Sequence, residues 1–217
     1  MTAADAKKPE HEAIYQRIRD MILFGELAPG QGVTILGLTE RLGAGMTPVR
    51  EAIRRLTAEG ALEAQGNRRV IVPVMTPEKL DQIEFARLSI EPKLAEIAAK
   101  KQRSGLVSEL RALDEQVNEA IAAGSIERYL ETNFRFHFRL YEEADATILK
   151  KIALSLWLQA GPSLRIVCGR YGTSNLPDKH DEALAALAAG DPAATAQAIC
   201  EDIRQGLDQV RETLSRS

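Results

Sequence analysis

A chain of 217 residues with 45% hydrophobic content is long enough for one large domain or two modest ones, each with its own core. The formal charge of −3 and pI near 5.8 exclude a polycation, so any affinity for nucleic acid must come from the local placement of cations. Two cysteines, Cys168 and Cys200, with no CxxC pair exclude a disulfide framework and a thiolate zinc site. No apolar run approaches the roughly 18 residues of a membrane span, and the polar start MTAADAKKPEHE is unlike a signal peptide, so the expected setting is cytoplasmic.

Taken in order, the first predicted helix carries Ile14, Ile18, Met21 and Ile22 on one face. It stops near Gly25-Glu26-Leu27-Ala28-Pro29-Gly30, where the Pro-Gly pair marks a turn. Thr34 caps a short second helix with Leu38 and Leu42 four apart; Gly37 inside it costs about 1 kcal/mol relative to alanine. Gly43-Ala44-Gly45-Met46 then forms a tight connection into Thr47-Pro48-Val49-Arg50-Glu51-Ala52-Ile53-Arg54-Arg55-Leu56. Thr47 is expected to cap this third helix, with Pro48 at the first helical position, where a missing N–H is harmless. Val49, Ile53 and Leu56 make its buried face. Arg50 and Arg54 lie four apart on another, with Arg55 close by.

After Gly60 the period changes. Residues 61–64 and 70–74 read as two strands joined by Gln65-Gly66-Asn67-Arg68-Arg69. A helix, a short helix, a small-residue turn, an arginine-faced helix and a basic-tipped hairpin make a helix-turn-helix with a wing. That combination points to double-stranded DNA, with Thr47, Pro48, Arg50, Arg54 and Arg55 on the recognition helix and Asn67, Arg68 and Arg69 on the wing. Residues 1–75 carry 10 Lys and Arg against 9 Asp and Glu, so placement rather than bulk charge must supply the affinity.

The motifs Gly25-Glu26-Leu27-Ala28-Pro29-Gly30 and Thr47-Pro48-Val49-Arg50-Glu51-Ala52-Ile53, with Gly60 ahead of the hairpin, resemble the winged-helix domain of the GntR superfamily of bacterial transcriptional regulators over residues 11–74. Two positions depart from that family's usual pattern. Gly45-Met46 stands where Ser-Arg is usual, and Arg69 stands where a glycine is usual near the wing tip. The resemblance implies operator binding without fixing the operator sequence.

The boundary falls at Pro73 to Pro77, giving a winged helix-turn-helix domain over residues 1–75 and an all-helical domain over residues 76–217. Thr76-Pro77 repeats the cap-and-proline start. Predicted helices run over 77–101, 104–123, 125–144, 147–170, 176–189 and 191–214. Pro92 is expected to kink or break the first of these and Gly161-Pro162 to interrupt the fourth. On the third, Asn133 and His137 are four apart on the apolar face marked by Ile126, Leu130, Leu140 and Ala144. His180 heads a stripe with Leu184 and Leu187. Ala189-Gly190-Asp191-Pro192 then forces an antiparallel turn that sets His180 and Asp202 at similar heights on paired helices. Asn133, His137, His180 and Asp202 can therefore meet within one bundle, and two imidazoles with a carboxylate suit Zn²⁺, Ni²⁺, Mn²⁺ or Fe²⁺. The competing reading is a set of hydrogen-bonded core polar residues.

Arg87 lies on the buried stripe of Leu80, Ile83, Ile90, Leu94 and Ile97 and needs an acidic partner. That partner is either an internal acid such as Glu84 or Glu91 or the carboxylate of a bound organic acid. Arg139 and Arg165 are further candidates for holding such an acid, while Tyr141 and Trp157 read as packing.

A GntR-like winged helix followed by an all-helical region of this length resembles the FadR-type group with its FCD ligand-binding domain, over residues 77–217. That group holds a divalent metal through one Asp and three His. The resemblance matches Asn133-Phe134-Arg135-Phe136-His137 to the Asp-x-x-x-His segment and His180 to the second histidine. Asn133 stands for the aspartate and Asp202 for the last histidine, so net ligand charge is retained. It also implies that Arg87 meets an effector carboxylate.

The expected molecule is mostly α. It is a homodimeric transcriptional regulator whose operator affinity responds to a small carboxylic acid bound at a divalent metal, with no membrane partner and no catalytic role. Two rivals remain: a metal-free regulator whose helical region mainly dimerises, and a metal-dependent enzyme acting on a small carboxylate.

Overall fold

The computed structural model describes residues 10–66, 69–171 and 178–216, with side chains described at all of these except 164–171. Its elements are α1 (Glu10–Leu23), β1 (Gly32–Val33), α2 (Ile35–Leu42), α3 (Met46–Ala58), β2 (Glu63–Gln65), β3 (Arg69–Ile71), α4 (Pro77–Lys101), α5 (Leu106–Ala122), α6 (Ile126–Glu143), α7 (Thr147–Tyr171), α8 (Lys179–Ala188) and α9 (Pro192–Ser215). Helices dominate, with a small antiparallel sheet ordered β1-β3-β2.

The first core gathers Ile18, Met21 and Ile22 of α1 with Val49, Ala52, Ile53 and Leu56 of α3, closed by Leu62 and Val72. Thr34 caps α2 as expected, its hydroxyl accepting from the Gly37 amide at 3.0 Å. Three local expectations are corrected. α3 begins two residues earlier, at Met46 with Gly45 as the capping residue, so Pro48 is the third helical residue rather than the first. Proline is tolerated there because no first-turn N–H has an intrahelical acceptor. The hairpin strands are shorter and shifted inward, to 63–65 and 69–71. A strand the sequence did not announce, β1, pairs Val33 with Val70. Two residues give no periodicity to read, so only the pairing reveals it.

Gly60 closes α3 at φ +77°, a left-handed conformation that any side chain would strain. Its amide reaches Thr57 O, and the Ala61 amide reaches Leu56 O, which turns the chain directly into the hairpin.

The second core is the bundle of α4 to α9, built on Leu80, Leu94, Leu106, Leu110, Phe136, Leu140, Leu184, Leu187, Ile199, Ile203 and Leu207. Thr76 caps α4 through the Lys79 amide, and Asp191 caps α9 through the amides of Ala193 and Ala194. Of the expected kink or break at Pro92, a break does not occur: α4 runs through it as one helix of 25 residues. α7 likewise runs unbroken through Gly161 and Pro162. Neighbouring helices hold both in place, which offsets a hydrogen bond lost at proline.

The two cores touch through α7. Trp157 and Leu158 belong to the first core, and Phe134 and Phe138 of α6 pack against it. Ser155 Oγ donates to Glu59 O at 2.8 Å, tying α7 to the end of α3. Gly161 lies so close to α1 that a Cβ there would stand 3.0 Å from Leu23 O.

Candidate metal centre and DNA-binding surface

His137 of α6, His180 of α8 and Asp202 of α9 converge in the bundle. His137 is fully buried and His180 is 5% exposed. Their Nε2 atoms stand 3.3 Å apart. Asp202 Oδ2 lies 3.1 Å from His137 Nε2, and Oδ1 lies 3.8 Å from His180 Nε2.

The far sides of both rings are engaged. His180 Nδ1 lies 2.9 Å from Asp114 Oδ1, the carboxylate accepting the Nδ1 proton. Tyr141 Oη donates to Glu91 Oε2 at 2.8 Å, so its oxygen accepts from His137 Nδ1 at 3.2 Å. Both protons are thereby assigned to Nδ1, and both Nε2 lone pairs face one point together with Asp202. Two imidazole nitrogens and a carboxylate facing one point can share either a proton or a metal cation between them. The 3.3 and 3.1 Å separations suit donors about 2.0–2.1 Å from one shared ion in tetrahedral geometry. The donor set therefore fits a divalent transition metal.

The electrostatics separate the two rings. Burial holds the His137 imidazole below its usual pKa despite Asp202. Burial would lower His180 too, but its hydrogen bond to Asp114 and the Asp202 charge together hold it above the usual value. Burial would raise Asp202, yet the two histidines and Arg87 bring it down to about 2. With neutral imidazoles, this cluster sets three carboxylates (Glu91, Asp114 and Asp202) against the single guanidinium of Arg87.

Asn133, one turn before His137 on α6, is partly buried, and its side chain makes no hydrogen bond to another described residue. Asp114, which orients His180, was missed in the sequence. It sits on α5 with nothing local to distinguish it from a surface acid.

Arg87 meets the internal alternative. Its guanidinium pairs with Glu91 through Nε at 2.6 Å and Nη2 at 3.1 Å, and lies over the Trp157 ring at 4.6 Å. Glu91 Oε2 also accepts from Trp157 Nε1 at 2.9 Å. Tyr141 and Trp157, read from the sequence as packing, are both buried and both donors to Glu91. Arg139 pairs with Glu109 at 2.8 Å and Glu143 at 3.2 Å. The Arg165 side chain lies outside the described residues.

On the winged helix, Arg50 and Arg54 are exposed on α3, and Thr47 is exposed at its start beside a partly buried Pro48. Arg55 is held elsewhere. It pairs with Glu12 at 2.9 Å and Glu59 at 3.1 Å and lies 3.5 Å over the Tyr15 ring, so it joins α3 to α1. Arg69 is exposed at the start of β3, while Asn67 and Arg68 lie outside the described residues.

Comparison with known proteins gives matches on both halves. The FCD domain family matches residues 82–205, and the gntR family of bacterial regulatory proteins matches residues 10–72. The HTH-type transcriptional regulator McbR of Escherichia coli K12 is 27% identical over 193 residues, covering 88% of this chain and 87% of McbR. A probable D-xylose utilization operon transcriptional repressor of Paenarthrobacter nicotinovorans is 24% identical over 87% of this chain and 85% of its own length. The solved structure of E. coli McbR/YncC superposes with a TM-score of 0.88 at 25% identity, over 95% of this chain and 99% of that one. A structure described as a GntR transcriptional regulator from Rhodococcus sp. RHA1, at 22% identity and TM-score 0.75 over 93% and 97%, shares the fold. No described helix is long and apolar enough to cross a membrane.

Proposed function

We propose that this chain, which belongs to the GntR family of transcriptional regulators with an FCD domain, is a metal-dependent sensor whose operator affinity is set by a small organic acid. Residues 1–75 act as the operator-reading unit and residues 76–217 as the sensing and dimerising unit. Two copies present two winged helices to a roughly palindromic site. The chain performs no catalysis. The observation that carries this reading is the convergence of His137 Nε2, His180 Nε2 and Asp202 on one point, with both Nδ1 atoms already engaged.

His137, His180 and Asp202 would hold a divalent metal, which would offer open coordination positions to a carboxylate ligand. The remaining steps belong to the chain. Asp114 and Tyr141 fix the two rings. Asp202 balances the ion's charge. Arg87 and Arg139 are each paired with internal acids, with which the carboxylate of a bound organic acid would have to compete.

A route to the winged helix exists in the same residues. His137 touches Tyr141, Tyr141 donates to Glu91, and Glu91 accepts from Trp157, whose ring is part of the winged-helix core. A change at His137 is felt at the contact between α7 and the winged helix. A coupling of about 1–3 kcal/mol is enough for a switch.

The test is metal analysis of chain purified without chelator, beside the His137→Ala/His180→Ala double variant, followed by operator binding with and without added Zn²⁺. Near-stoichiometric metal lost in the variant, with operator affinity that moves with metal and carboxylic acid, is the expected result. Absence of metal after soaking with Zn²⁺, Ni²⁺ or Mn²⁺ overturns the sensor and leaves a dimerising bundle.

A further inference from the structure

We propose that Met46 is a specificity-determining residue of the operator-reading helix, and that it reads the C5 methyl of a thymine in each half-site. This rests on the DNA-binding reading of the winged helix and is independent of the metal.

Met46 is the first residue of α3 and is 51% exposed, although it is a large apolar side chain. Its spacing places it with the arginines: Met46, Arg50 and Arg54 are successively four apart and all exposed, while Val49, Ala52, Ile53 and Leu56 are buried behind them. α3 therefore presents one outward stripe with a thioether at its N-terminal end and two guanidiniums further along. Gly45 before it has no side chain, so nothing shields that end.

In helix-turn-helix docking the N-terminal residues of the second helix meet base edges, and the residues beyond track the groove and backbone. The leading position here is Met46. Methionine has no N–H or O–H, so it cannot form a bidentate pair with guanine or adenine. The apolar group that a major groove offers is the thymine methyl. Arg50 and Arg54 supply phosphate attraction and any hydrogen-bonded readout, while Met46 supplies shape. Covering one methyl is worth about fourfold in affinity at each half-site and on the order of tenfold for a dimer on both.

The experiment uses the full chain. Binding sites are selected from a random DNA pool, and each thymidine of the selected site is replaced in turn by deoxyuridine, which removes only the C5 methyl. Wild type should lose about fourfold per half-site at one defined thymidine, the same in both halves. Met46→Ala should bind more weakly and show no difference between thymidine and deoxyuridine at that position, while keeping its discrimination elsewhere. Met46→Leu should retain the difference. The proposal is overturned if wild type and Met46→Ala respond identically to every replacement. The same pool selection is run with Met46→Ala, and the proposal is equally overturned if the position whose base preference is lost there is a guanine or cytosine. A chain that enriches no sequence overturns the DNA-binding reading itself, a separate and recognisable outcome.

Discussion

Trp157 donates its indole N–H to Glu91 Oε2 at 2.9 Å while its ring packs into the core of the winged helix. One side chain therefore belongs to two units: its polar edge to the buried acid of α4, and its apolar face to the DNA-reading domain. Trp157→Phe keeps most of the packing and deletes the donor. Operator affinity and metal content should each stay within a few-fold of wild type, but the response of operator affinity to metal should shrink toward none. Titrations of operator DNA at several Zn²⁺ concentrations check this, and an undiminished response would show that coupling runs elsewhere.

Asp114 fixes the proton of His180 on Nδ1 and is nearly buried itself. Asp114→Asn leaves all three converging donors in place but weakens the orientation of one ring. Metal affinity should fall by about 10–100-fold with little change in fold. Competition with a chelator of known affinity measures it.

Glu91 accepts from three buried donors: Arg87, Tyr141 and Trp157. Removing it strands all of them, whereas removing Arg87 leaves Glu91 with two hydrogen bonds. Glu91→Ala should therefore cost more than Arg87→Ala, with a loss of about 3–5 kcal/mol typical of breaking a buried pair. Urea unfolding of the two variants decides the order, and equal losses would contradict it.

The arginines of α3 should separate by role. Arg50→Ala should weaken operator binding and leave thermal stability and metal content unchanged, because the side chain is exposed. Arg55→Ala should lower the stability of the winged helix, since it loses two acidic partners and the Tyr15 ring together. Electrophoretic mobility shifts and thermal melts on both variants test the division.

Glu26 joins α1 to α2 by accepting from Arg17 at 2.6 Å and Arg41 at 2.6 Å. The Arg17 hydrogen bond, opposed by partial burial, holds its carboxyl below the usual range. A depressed folded-state pKa means its stabilisation is present above the unfolded value and lost as pH falls through the folded one. Glu26→Gln should thus be less stable than wild type at neutral pH, with the gap closing below the ordinary carboxylate range. Melting curves across pH follow it.

Much of this molecule is set by local sequence. Caps at Thr34, Thr76 and Asp191, apolar stripes of helical period and glycines at turns are short-range signals, and the helices of the bundle begin and end within a few residues of where those signals fall. The spacing around Ala189-Gly190-Asp191-Pro192 was enough to bring His180 and Asp202 to one height, because a tight turn between helices leaves little freedom. What the sequence could not decide is what each buried polar group faces. Arg87 had two chemically reasonable partners, and only packing reveals that Glu91 lies within reach of its guanidinium. Asp114 looked like any helical acid until α5 and α8 were set side by side. Trp157 read as filler because its hydrogen-bond acceptor is 66 residues away. Periodicity reports which face of an element is inward, a property of neighbours along the chain. The identity of the opposing atom depends on how separate elements are packed, and that is fixed only by the tertiary structure.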